Sequence, residues 1–205
     1  MREDWIECTL GDLLTLKNGF AFQSAKYLSE GTPVIRIGDI NDWVVDETHA
    51  KCVAESKEYD GYIVAKGDIL IAMSGATTGK FGVYKSDRKS YQNQRVGNLK
   101  PNSTGLTDKK YIFNLLYSLK FQIEKDAYGG AQPNISAGKI HALNIVLAPL
   151  PEQRAIVAKI EALFSDLDNG IADLKTAQAQ LKVYRQAVLK KAFEGELTKQ
   201  WREQQ

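Results

Sequence analysis

Residues 149–198 read "PLPEQRAIVAKIEALFSDLDNGIADLKTAQAQLKVYRQAVLKKAFEGELT". Ile160, Leu167, Leu174, Leu181 and Val188 recur every seven residues. Leu163, Ala177 and Tyr184 fall three places after members of that row, with Gly170 the weak member. An a/d pattern held over about four heptads predicts one long helix with a coiled-coil seam. Pro149 and Pro151 punctuate its start, where a proline's missing N–H removes a donor that has no helical partner anyway. Glu152, Glu161, Asp166 and Asp168 load the first half with acid, and Lys182, Arg185, Lys190 and Lys191 load the second half with base. That order suits the helix dipole at both ends. Gly195 supplies the stop. A helix of about 43 residues at 1.5 Å each is roughly 65 Å long, longer than a small domain is wide. Folding back on its own domain would cover only the start of such a strip. Its seam residues, Ile160, Leu163, Leu167, Leu174, Leu181, Tyr184 and Val188, therefore predict dimerisation through the helix.

The chain has 205 residues, which leaves residues 1–150 for one domain ahead of a helix and short tail over 151–205. A hydrophobic share of 43% is enough for a core in that domain. No run of 18 apolar residues occurs, so no membrane span is expected. The start, "MREDWIECTLGD", is acidic and lacks an apolar segment, so it reads as no signal peptide, and a cytoplasmic protein is expected. Cys8 and Cys52 share no ligand spacing with His49 or His141. The expectation is free thiols, no metal site and no cofactor.

Within 1–150, Thr9 can cap a short helix over 10–14, and "LKNGFAFQSAKY" reads as a loop. "TPVIRIGDI" predicts a strand through Val34, Ile35 and Ile37 with a turn at Gly38 and Asp39. Residues 41–66 are acidic and less regular. "GDILIAMSGATTGKFGVYK" predicts a buried strand over 69–73, a loop over 74–79 and a returning strand over 81–85. Another short strand falls at 96–99. "TDKKYIFNLLYSLKFQIEKDAYGG" is one helix by its face of Ile112, Leu115, Leu116, Leu119 and Ile123, capped by Thr107 and stopped at Gly129 and Gly130. A short helix capped by Asn134 or Ser136 and a last strand over 144–147 complete the domain. Strands and helices mix without a regular βαβ beat, which predicts an α+β fold, a mixed α/β domain followed by one long coiled-coil α-helix.

Charge is unevenly spread. Between Lys80 and Lys110 lie eight bases against Asp87 and Asp108, a net +6, in a chain of net +2. Between Glu30 and Asp68 lie nine acids against four bases, a net −5. A basic stretch in a nearly neutral chain is the footprint of a phosphate-binding face, with Lys80 and Lys89 as candidate contacts. Catalytic patterns fail. "GATTGKF" has three residues between its glycines, where a phosphate loop has four, and Phe81 follows Lys80 in place of Ser or Thr. No Gly-x-Ser-x-Gly elbow and no Asp/Asn-Pro-Pro-aromatic tetrad occurs. Glu55-Ser56-Lys57 resembles one end of a metal-dependent nuclease site, but no Pro-Asp pair precedes it. Short polar side chains suited to recognition cluster instead: Ser74, Thr77 and Thr78; Gln92, Asn93, Gln94 and Arg95; Gln132, Asn134 and Ser136. Arg reads guanine, and Gln or Asn reads adenine, by paired hydrogen bonds in the major groove of duplex DNA. The same residue types also close ordinary turns.

The block "LKVYRQAVLKKAFEGELT" (181–198), with "GDILIAMSGATTGKFGV" (67–83), "GGAQPNIS" (129–136) and "LNIVLAPLPEQRAIVAKI" (143–160) in that order, resembles the DNA-specificity (S) subunits of type I restriction–modification systems. The resemblance covers essentially the whole chain. It implies a target-recognition domain over residues 1 to about 150 that reads one half of a split DNA site, and a helix that spaces two such domains. It implies no enzymatic activity in the subunit itself, which directs methylation (M) and restriction (R) subunits in defence against foreign DNA. The S-adenosylmethionine and ATP of such systems belong to those partners. The family pattern carries two domains and two antiparallel helices. One of each is present here, so an antiparallel homodimer is expected. The rival readings are a stand-alone dimeric DNA-binding regulator and a metal-dependent nuclease.

Overall fold

The computed structural model describes residues 4–41, 43–102, 105–127 and 133–205. Strand β1 (Ile6–Thr9) leads into helix α1 (Leu10–Leu13). Asp12 Oδ2 accepts from Thr9 N at 2.8 Å and Thr9 Oγ1 at 2.7 Å, which closes the first turn. The helix ends one residue before the expected 14, because Leu14 is already extended (φ −144°, ψ 155°) and opens β2 (Leu14–Asn18). The stretch expected as a loop therefore begins in strand. After β3 (Thr32–Ile35), the expected irregular region holds short strands: β4 (Ile40–Asn41), β5 (Trp43–Val45), β6 (Cys52–Val53) and β7 (Ile63–Val64). Two- and three-residue strands are too short to show an alternating pattern, so their pairing comes from neighbours distant in sequence. Then follow β8 (Ile69–Ala72), β9 (Phe81–Tyr84), β10 (Ser90–Gln92) and β11 (Val96–Pro101).

The helix expected as one piece is two, α2 (Lys109–Ser118) and α3 (Lys120–Ala127), with Leu119 between them. Its cap is Asp108 in place of Thr107: the Asp108 carboxylate accepts from Lys110 N and Tyr111 N. Ile112, Leu116 and Ile123 of the expected face are all fully buried. Gly129 and Gly130 lie outside the described residues. Ser136 caps α4 (Ala137–His141), accepting from Lys139 N. Strand β12 (Asn144–Leu147) precedes α5 (Leu150–Phe193), and a helix not expected from sequence, α6 (Lys199–Glu203), closes the chain. Gly195 ends the long helix at φ +80°, and Arg202 Nη2 donates to its carbonyl at 2.7 Å.

Among the described residues the strands form three sheets: β2-β11-β8-β9-β5-β4, β6-β3-β10-β7, and the pair β1-β12. The first sheet is antiparallel except for β5 beside β9, and β10 runs parallel to β3. One core cluster gathers Ile35, Ile40, Val45, Leu70, Tyr84 and Val96; a second gathers Phe22, Val34, Val53, Tyr59 and Tyr91. The chain is thus α+β with a long C-terminal helix. It divides into two units, Met1–Ala155 and Ile156–Gln205. The first turns of α5 belong to the first unit, where Gln153 is fully buried. Its Nε2 donates to the carbonyls of Leu106 (2.9 Å) and Ala148 (2.8 Å), and its Oε1 accepts from Asp108 N (3.0 Å). Trp5 Nε1 donates to Glu152 Oε2 at 2.9 Å.

Taken by itself, the second unit is almost all one helix. At 1.5 Å per residue the 44 residues of α5 reach roughly 66 Å. Leu163, Leu167, Leu174, Leu181 and Tyr184 of the seam are each more than half exposed, while Ile160 and Val188 are half-buried. No helix among the described residues is long and apolar enough to cross a membrane.

Candidate nucleic-acid interface

Antiparallel pairing of β2, β11 and β8 brings the end of β2, the start of β11 and the end of β8 to one edge, with Asn18 beside Gly97 and Val96 beside Ala72. The loops leaving that edge are tied to each other by backbone bonds. Gln94 N donates to Phe20 O at 2.9 Å, Met73 N to Arg95 O at 2.9 Å, and Ile135 N to Met73 O at 2.9 Å. Gly75 N donates to Pro133 O at 3.0 Å, and Ser74 and Asn134 form a bridge. Thr77 Oγ1 donates to Ile37 O at 3.1 Å, and Asn93 N to Ile35 O at 3.0 Å. Five segments therefore meet: 19–20, 36–39, 74–79, 93–95 and 133–136. Glycine permits two of the close approaches. A Cβ at Gly19 would collide with the backbone carbonyls of Gln92 and Asn93, and Gly75 and Gly79 take φ of +87° and +89° to turn the 74–79 loop.

The structure divides the residues expected at the site. Gln94, Arg95, Asn134 and Ser136 are exposed; Ser74, Thr77 and Lys80 are half-buried. Gln92, Asn93 and Thr78 are buried and hold the loops together. The Gln92 amide donates to Lys17 O (2.6 Å) and Val96 O (2.7 Å). Asn93 Oδ1 accepts from Arg95 N (3.2 Å), and Thr78 Oγ1 lies 2.6 Å from Gly75 O and 3.1 Å from Pro133 O. Gln132 lies outside the described residues. Ser136 spends its hydroxyl as the cap of α4. Lys89 is not brought to this edge: it precedes β10 at the end away from Asn93, pairs with Glu55 at 3.5 Å and lies over the Tyr91 ring.

The basic stretch likewise spreads out in space. Arg88 Nη2 donates to Gly31 O at 2.8 Å, and Lys100 lies 3.6 Å from Asp68. Arg95 precedes β11 and Lys100 lies near its far end, and five residues at about 3.3 Å each set them ~16 Å apart. Lys80 and Arg95 are the expected cations that reach the loop edge. The 19–20 and 36–39 segments were not expected there. The signal was present in "VIRIGDI", where Arg36 interrupts an apolar run just before a turn. Asp39 beside it has its carboxyl pushed up by burial, an effect opposed by the N–H and charge of Arg36. The 74–79 loop leads into strand β9, not into a helix N-terminus as a phosphate loop would. Among the described residues no group of three or more His, Cys, Asp or Glu side chains could hold a metal ion.

An α+β domain with a polar loop edge, joined to a long amphipathic helix, is the architecture of a known recognition subunit. Residues 2–176 match the type I restriction modification DNA specificity domain, and the chain belongs to that family. It is 27% identical over 207 residues to the Escherichia coli type I restriction enzyme EcoBI specificity subunit, covering 98% of this chain and 43% of that protein. It is 26% identical to the EcoKI specificity subunit of Escherichia coli strain K12, covering 98% and 45%. The solved HsdS subunit from Thermoanaerobacter tengcongensis superimposes with a TM-score of 0.68 at 25% identity, covering 95% of this chain and 46% of that one. A chain of a type I R-M system, solved for its assembly and conformational transition, gives a TM-score of 0.70 at 21% identity, covering 94% and 46%. The chain spans less than half the length of these relatives.

Proposed function

We propose that this chain recognises a specific sequence in double-stranded DNA as a type I specificity subunit, with residues 1–150 as the target-recognition domain and 151–205 as the spacing and dimerising element. The observation that carries this reading is the meeting of five loops at one edge of the six-stranded sheet. There Gln94, Arg95 and Asn134 project with no side-chain partner among the described residues. Such side chains read base edges, while Lys80 meets phosphate. Gln92, Asn93 and Thr78 set loop shape. The subunit recognises DNA, and the methylation and restriction chemistry belongs to its M and R partners.

The exposed seam of α5 supports pairing of two copies through antiparallel helices, a two-fold arrangement in which the same surface is used twice. Each copy carries the same reader, so the preferred site is an inverted repeat. A helix of roughly 66 Å limits the gap to below roughly 19 base pairs at 3.4 Å each. Selecting bound duplexes from a random pool, then sequencing them, tests the reading. The expected outcome is a split inverted repeat whose binding weakens steeply with salt through counterion release. Selection of no motif would refute DNA recognition, and a single undivided motif would refute the paired reader. Co-purification with an M subunit separates this reading from a stand-alone regulator.

A further inference from the structure

The 36–39 turn passes between the 74–79 and 93–95 loops, pinned to one by Thr77 Oγ1 on Ile37 O and to the other by Asn93 N on Ile35 O. Arg36 stands at its head with a side chain 38% exposed, neither free in solvent nor sealed. Its Nε is buried and has no hydrogen-bond partner among the described residues. The nearest carboxylate oxygen, Asp39 Oδ2, is 3.9 Å from Nε and already accepts Arg36 N at 2.8 Å. Asp39 thus holds the turn and forms a long ion pair with the guanidinium without hydrogen-bonding its Nε. A buried donor left unused is costly, and a guanidinium presents its donors as a rigid fork. Nε itself is sealed, so the 38% exposure of the side chain lies on its other atoms. The part of the guanidinium that is not sealed suits a partner with two acceptors side by side.

Guanine O6 with N7, or two phosphate oxygens, would fit the fork. The half-buried position between loops that carry Gln94, Arg95 and Thr77 favours a base edge. Phosphates are met by long cations at the rim of such a surface. We propose that Arg36 is a guanine-reading residue of this interface, held in position by Asp39. The inference rests on the reading of the loop edge as a DNA interface and adds to it a residue and the base it contacts.

The test compares wild type, Arg36→Ala and Arg36→Lys in selection from a random duplex pool. Wild type should select a motif containing a guanine that neither variant prefers, with discrimination there falling roughly 5- to 150-fold and other positions unchanged. In the selected duplex, 7-deazaguanine at that position removes the N7 acceptor. It should weaken binding of wild type and leave Arg36→Ala unaffected. Arg36→Lys keeps the stem and charge and carries the comparison if Arg36→Ala loses its melting transition. Full retention of the guanine preference by the variants overturns the inference and leaves DNA recognition standing. An equal loss for every sequence, with the salt slope reduced by about one, assigns Arg36 to phosphate and also overturns it. A wild type that selects no motif defeats the DNA reading itself, and this inference with it.

Discussion

Leu70, Ile71 and Leu99 in the six-stranded sheet are 1% exposed or less, whereas Leu174 and Leu181 in α5 are 73% and 60% exposed. Both sets are large aliphatic side chains in regular structure. In the sheet each meets other apolar groups of the same domain, and burial stabilises by about 1.5–3 kcal/mol per side chain. In the helix the same side chains stay open to water although they recur every seven residues. An exposed periodic apolar strip of this kind is what the proposed pairing of two helices would cover. The loop edge shows the same division among polar groups. Gln92 and Thr78 are fully engaged with backbone carbonyls, while Gln94 and Arg95 are left outward.

The most severe way to break this comparison is Leu174→Asp with Leu181→Asp. In a paired seam these bury unpaired charge at a cost of about 3–5 kcal/mol. Light scattering should show a wild-type dimer at micromolar concentration and a monomeric variant whose domain melts as before. A monomeric wild type would leave the exposed seam unexplained. Next in size, Leu70→Ala should destabilise the domain by about 2–5 kcal/mol in a thermal or denaturant melt. Leu174→Ala, measured at a dilution where the chain is monomeric, should stay within about 0.5 kcal/mol of wild type. Equal losses would erase the distinction between the two regions.

Two further pairs sharpen the polar side of the comparison. Gln92→Ala strips the donor from the carbonyls of Lys17 and Val96, the second of them buried, and should cost about 1–3 kcal/mol of stability by denaturant melt. Arg95→Ala should leave the melt unchanged and relax preference at one base pair by about 1–3 kcal/mol in a competition binding assay. The smallest expected effects concern the lysines. Lys80→Ala should reduce the salt slope of duplex binding by about one, at similar cost for all sequences. Lys89→Ala, which removes a surface pair with Glu55, should leave that slope unchanged and stability within about 1 kcal/mol.

Local signals carried far in this protein. The α5 helix, its stop at Gly195, strands β8 and β9 and the α2–α3 face were all legible, because each is written in the spacing of neighbouring residues. Local signals fail where they compete with distant pairing. Local spacing places Leu14 in a helix, yet its pairing with Pro101 puts it in strand. The two-residue strands around Cys52 and Ile63 exist only through partners in β3 and β10. Asp108 took the cap from Thr107 because both are capable caps one position apart.

The sequence by itself determined the seam and the polar composition of the loops, since heptad spacing and residue type need no knowledge of the fold. Only the tertiary structure decided which of those loops meet. Antiparallel pairing of β2, β11 and β8, together with the parallel pairing of β3 and β10, carried Phe20, Arg36, Ser74, Gln94 and Asn134, far apart in the chain, to one edge. It also decided which way each side chain faces. Gln92 and Gln94 are the same residue two places apart, and only the first lies where backbone carbonyls wait for its amide. Orientation of that kind depends on groups brought from other strands, and no reading of neighbouring residues contains it.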